Sequence, residues 1–147
     1  MPTILETFQD YETDLLEMII EQWGIQDEIK PNKNIKKQLA NLLINQTLLK
    51  EIFLSLPIKA KSALKQIQST DGTIPAAQFM RLYGEIREMG AGARGKKRPD
   101  RNPANISEVL FYKGLIALSF FNQKNEAAEY IFIPQEILAY LESFQGN

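Results

Sequence analysis

Asp10, Asp14, Glu17 and Glu21 recur at intervals of four, three and four, which puts all four carboxylates on one face of any helix they share. Acids gathered in this way can carry hydrolytic acid–base work or hold Mg²⁺, but only with a cleft and convergent partners. Otherwise they form a solvated face, a mimic of nucleic-acid charge, or a docking face for a basic segment. A basic segment exists: Arg94, Lys96, Lys97, Arg98 and Arg101 set five cations around Asp100. Cations clustered on a surface loop suit phosphate contacts, which position a protein on a duplex and release counterions. Just before them, Gly90-Ala-Gly-Ala-Arg-Gly95 matches Gly-x-Gly-x-x-Gly. A dinucleotide site needs that turn between a strand and a helix. Here the sequence places a helix before it and none after, so the expectation is no nucleotide and no cofactor, with the glycines capping the preceding helix.

The chain has no Cys and no His among its 147 residues. Thiol catalysis, imidazole acid–base chemistry, disulfides and the usual zinc and copper ligand sets are thereby excluded, and the expectation is a non-enzymatic protein. Its 44% hydrophobic and 24% charged residues are ordinary for a folded domain. No apolar run approaches the roughly 20 residues that span a bilayer, and the start lacks a secretory pattern, so a cytoplasmic protein with no membrane partner is expected. The net charge of −1 conceals segregation: residues 1–30 carry eight acids against Lys30, and residues 31–104 carry fourteen bases against five acids. Either the two blocks pair within the molecule or the basic one meets an external anion.

The elements that must position these groups follow from periodicity. Leu15, Leu16, Ile19, Ile20 and Trp23 form the stripe of an amphipathic helix from Asp10 that Gly24 ends. Asn34 can cap a helix through about Ile44, and Leu48 to Leu56 makes a third. After Pro57, Ile58 to Ser69 is helical until Thr70-Asp71-Gly72. Thr73-Ile74 is a brief strand, and Pro75 opens a helix that points Phe79, Leu82, Tyr83 and Ile86 inward. Gly90 to Ala104 lacks apolar periodicity and reads as a long surface loop. Asn105 and Glu108 form a capping box for a helix through Lys113, which Gly114 terminates. Ile116 to Phe121 and Ala128 to Ile133 form a hairpin, and Gln135 to Phe144 a last helix.

The expected fold is mainly α with minor β: a helical subdomain over 1–56 and a winged-helix module over 57–147, since three helices and a terminal hairpin are the winged-helix order. The helix that would enter a groove, Asn105 to Lys113, offers only Lys113 as a base and carries Glu108, a composition that predicts burial rather than base reading. The wing turn offers Lys124.

Pro75-Ala-Ala-Gln-Phe-Met-Arg-Leu-Tyr-Gly-Glu-Ile-Arg-Glu-Met-Gly90, Phe111-Tyr-Lys-Gly-Leu-Ile116 and Phe132-Ile-Pro-Gln-Glu-Ile-Leu138, with Trp23-Gly24 near the start, resemble the N-terminal region of bacterial helicase-associated proteins related to XPB-type DNA helicases. The resemblance covers nearly the whole chain. It implies a winged-helix fold, a setting in DNA transactions, and a helicase or other protein as partner. Phe111 stands where the family usually has Trp, and Gln135 where it has an acid. The chain stops before any helicase-like region and has no Gly-x-x-x-x-Gly-Lys-[Ser/Thr] loop, so ATP-driven activity does not carry over. The leading expectation is DNA binding with weak sequence preference through Arg94, Lys96, Lys97, Arg98 and Arg101, assisted by Lys113 and Lys124. The alternative is a protein-docking or intramolecular docking module that does not bind DNA.

Overall fold

Thr3 accepts a hydrogen bond from the Glu6 N–H while the Glu6 carboxylate takes the Thr3 N–H, a capping box that starts α1 (Ile4–Phe8). Periodicity over so few residues is uninformative, and this helix is absent from the sequence expectation. The computed structural model describes residues 2–123 and 126–145. Next come α2 (Thr13–Trp23), ended by Gly24 in the left-handed region, and α3 (Ile35–Leu43), capped by Asn34 as its sequence predicts. A 3₁₀ turn at Gln26–Glu28 separates them. Asn45 caps α4 (Gln46–Ser55), and Pro57 precedes α5 (Ile58–Gln68).

The second half runs β1 (Thr73–Pro75), α6 (Ala76–Tyr83), α7 (Ala91–Lys97), α8 (Ile106–Phe111), β2 (Ala117–Gln123), β3 (Glu126–Phe132) and α9 (Gln135–Gln145). The strands form one antiparallel sheet in the order β1-β3-β2, with Ile74 and Leu118 both opposite Ile131. The fold is therefore mainly helical with a small antiparallel sheet, as expected.

Three local readings are corrected. First, α6 stops at Tyr83, where Gly84 takes φ 99°; Leu82 lies on the outer face of the helix (58% exposed), and Ile86 is half-buried in the segment beyond it. Second, Gly90 to Ala104 is not a loop throughout: Gly90 is the N-cap of α7, whose Gly92 and Gly95 suppress any propensity signal. The glycines therefore open a following helix and do not cap the one before, and the segment ahead of them is not a strand. Third, Asn105 does cap α8 by accepting from the Glu108 N–H at 2.9 Å, but the Glu108 side chain does not reach back to complete the box.

One apolar cluster runs through both halves, from Ile4 and Phe8 through Ile19, Leu43 and Leu64 to Phe79, Leu110, Ile131 and Leu141. Phe53, Leu56 and Ala60, on either side of residue 57, all belong to it. α1 is tied to α9 by the Ile4 N–H, which donates to Glu136 at 2.9 Å. Among the described residues no helix is long and apolar enough to cross a membrane.

Candidate functional site

α2 buries one face and presents acids on the other. Asp14 and Glu21, seven residues and two turns apart, lie on that outer face some 10 Å from each other along the axis. On α7 and the turn after it, Arg94, Arg98 and Arg101 project toward them. The two charge blocks of the sequence meet here.

Arg94 is the centre of the contact. Its Nε donates to Asp14 Oδ2 at 2.6 Å and its Nη2 to Asp14 Oδ1 at 2.9 Å, a bidentate pair. Nη2 also reaches Glu12 Oε1 at 3.0 Å, and Nη1 donates to the Met89 carbonyl at 2.8 Å. Only 10% of its side chain is exposed. Asp14 and Glu12 hold the Arg94 guanidinium protonated more firmly than in free arginine, and the same bonds keep the Asp14 carboxyl below its ordinary range. Arg98 forks onto Asp100 (3.0 and 2.6 Å) and reaches Glu21 at 2.8 Å. Arg101 closes on both oxygens of Glu21. The hydrogen bonds from Arg101 are the main reason the Glu21 carboxyl lies low.

Gln22 and Trp23 extend the joint. Gln22 Nε2 donates to the Asp100 carbonyl at 2.9 Å, Lys113 Nζ donates to Gln22 Oε1 at 2.7 Å, and Trp23 Nε1 donates to the Lys113 carbonyl at 2.8 Å. Burial pushes the Lys113 ammonium below its ordinary value. Lys113 is thus turned into the molecule and away from any groove.

α8 is enclosed. Ser107, Glu108 and Leu110 are fully buried, and Tyr112 just beyond it packs with Leu15 and Met18 of α2. Glu108 accepts from the Arg87 N–H (2.9 Å), Arg87 Nε (2.9 Å), Arg87 Nη2 (2.8 Å) and the Ala104 N–H (2.8 Å). Burial pushes its carboxyl up, and these donors outweigh burial and hold it below the ordinary value.

Of the seven expected nucleic-acid contacts, Arg94, Arg98 and Arg101 are thus engaged by acids of this chain, and Lys113 by Gln22. Lys96 and Lys97 are exposed on α7. Lys124 lies outside the described residues. Of the acidic quartet, Asp14 and Glu21 form the joint, whereas Asp10 and Glu17 face solvent; among the described residues no group of acids is placed to hold a metal. Sequence reasoning missed Glu12 as a partner and the Arg87–Glu108 pair. Glu108 in an otherwise apolar helix was the one signal that a cation had to be near. No protein-family model, no curated protein and no solved structure matches this chain.

Proposed function

We propose that this chain is a non-enzymatic protein-docking module of winged-helix type whose basic segment serves as an internal clamp rather than a DNA contact. The observation that carries this reading is the neutralisation of Arg94, Arg98 and Arg101 by Glu12, Asp14, Glu21 and Asp100. A guanidinium already held by carboxylates must give up that pairing to meet a phosphate, and the neighbouring anions repel the backbone, so it displaces fewer counterions. The winged-helix assignment is supported by the order α5-β1-α6-α7-α8-β2-β3, in which α7 is an insertion between the second and third helices of the unit, and by the sheet order β1-β3-β2. In such a unit α8 would read the groove, and here it is covered by α2 and α5 and carries a buried carboxylate. The resemblance to helicase-associated proteins adds a setting in which the partner is a helicase or another protein of DNA transactions.

Titration of labelled duplex DNA at two salt concentrations tests this. Free engagement of the basic segment would give a log–log salt slope of about −3 to −4, from three to four phosphates at about −0.9 each. The expected result is no measurable affinity or, if Lys96 and Lys97 touch phosphates, weak binding with a slope no steeper than about −2 that Lys96→Ala/Lys97→Ala abolishes. A slope of −3 or steeper, lost on replacing Arg94, Arg98 and Arg101, would overturn the docking reading.

A further inference from the structure

We infer that the surface where α4, α5 and α9 meet is a docking groove for an acidic amphipathic segment of a partner protein. This rests on the reading of the chain as a protein-docking module and names the surface and the chemistry of the partner. Phe53 of α4 and Phe144 of α9 pack edge to face, with ring centres 5.3 Å apart, and form the floor of a hollow of about 380 Å³. Ile58, Lys61 and Lys65 of α5 form its wall. A second hollow of about 340 Å³ lies on the other side of Phe144, bordered by Lys50 and Tyr140.

Two features give this surface its character. The apolar part is open: Ile58 is 81% exposed, whereas the other apolar side chains of α5, Ala60, Ala63, Leu64 and Ile67, are buried. The charged part is one sign. Lys50 Nζ lies over the Phe144 ring, 5.6 Å from its centre, and Lys61 Nζ over the Phe53 ring at 5.8 Å, so each ammonium group borders the aromatic floor. Lys65 follows Lys61 by one turn. Among the described residues, neither Lys50, Lys61 nor Lys65 forms an ion pair. This contrasts with the arginines of the second half, all but Arg81 of which have a carboxylate.

Charge complementarity selects the occupant. Unpaired ammonium groups on two sides of an apolar strip fit a helix that lays an apolar stripe on Phe53, Ile58 and Phe144 and flanks it with carboxylates. A phosphate backbone would use the lysines and leave Ile58 uncovered. Base stacking is disfavoured because the Phe144 ring already meets Tyr140, Phe53 and Lys50.

The test uses the full chain and a synthetic peptide of about twenty residues, long enough to hold a helix. The peptide carries Leu and Phe at helical spacing and Glu on both flanks; a second peptide has every Glu replaced by Gln. Fluorescence anisotropy at low salt should give saturable binding of the Glu peptide, at least about tenfold weaker for the Gln peptide and for Lys61→Glu/Lys65→Glu, a tenfold change being about 1.4 kcal/mol. Ile58→Ser should weaken binding without altering salt dependence. If the charge reversal impairs folding, Lys61→Gln/Lys65→Gln serves in its place. Equal affinity for the two peptides, binding unchanged by the variants, or no binding at millimolar peptide would overturn the groove. So would concentration-dependent self-association lost in these variants, which would make a second copy the occupant. Duplex DNA in the same assay separates the two claims: absence of both peptide and DNA binding removes the groove alone, whereas DNA binding abolished by Lys61→Glu/Lys65→Glu removes the docking reading as well.

Discussion

Glu108 is a buried carboxylate that survives as an anion because four N–H donors converge on it, three of them from Arg87. Replacing it with Gln keeps the shape but substitutes an amide nitrogen where one donor pair expects an acceptor. Glu108→Gln should lower unfolding free energy by about 2 kcal/mol or more, measured by urea denaturation near neutral pH. Its pH dependence has a definite sign. The folded-state value lies below the unfolded one, so the stabilisation is complete above the unfolded value near 4 and disappears as pH falls through the folded value. Asp14 and Glu21 act in the same direction. The melting temperature of the wild type should therefore fall as pH drops below about 4, and Glu108→Gln should show a shallower fall. Identical pH profiles would refute the role given to this carboxylate. Gly84 is a second residue whose surroundings constrain its identity. At φ 99° an added Cβ would lie 2.4 Å from Cβ and Cγ of Asn105, the cap of α8. Gly84→Ala should cost well over about 1 kcal/mol and loosen the start of α8, visible as faster amide exchange over Ile106–Phe111.

α7 shows what helical reading of a sequence can and cannot see. α2, α3, α4 and α5 carry apolar stripes that one core face demands, and their existence follows from the residues alone, as do the Gly24 end of α2 and the Asn34 cap of α3, whereas α2 starts at Thr13 and not Asp10 and α4 at Gln46 and not Leu48. α7 has no such stripe: it is Ala-Gly-Ala-Arg-Gly-Lys-Lys, and what holds it is one arginine reaching across to α2. Its code lies 80 residues away in Asp14, and a local pattern cannot contain it. The candidate site was half legible for the same reason. Opposite charge blocks are visible in the sequence, and so is the choice between internal pairing and an external anion, but which acid meets which base depends on how α2 and α7 cross. The hairpin was legible from its β-branched and aromatic runs, whereas the pairing of β1 with β3 was not, since three residues carry no register. Gly92→Ala tests whether α7 is held from outside. Nothing lies within 4 Å of the added Cβ, so the substitution should raise stability by about 0.5–1 kcal/mol in thermal unfolding while leaving the Arg94 contacts intact. A loss of stability would mean that the segment is not helical.

At the scale of the molecule, residues 1–30 and 90–104 are far apart along the chain yet form one joint. The net charge of −1 is the sum of opposed blocks, and at this joint three arginines of one block meet acids of the other. The outer pairs of this joint, such as Arg101 with Glu21, are largely solvated and contribute little singly. Arg94 is the member held away from water and gripped on three sides. The lysines of α4 and α5 lie outside this pairing and are among the cations left to meet a partner. A double-mutant cycle on Arg94→Ala and Asp14→Ala, read by urea unfolding at low and high salt, measures directly whether the two charge blocks hold each other. The two substitutions together should cost less than the sum of the singles, by at least about 1 kcal/mol. Additivity to within about 0.5 kcal/mol would contradict the clamp and return Arg94 to the set of cations free to bind an external anion.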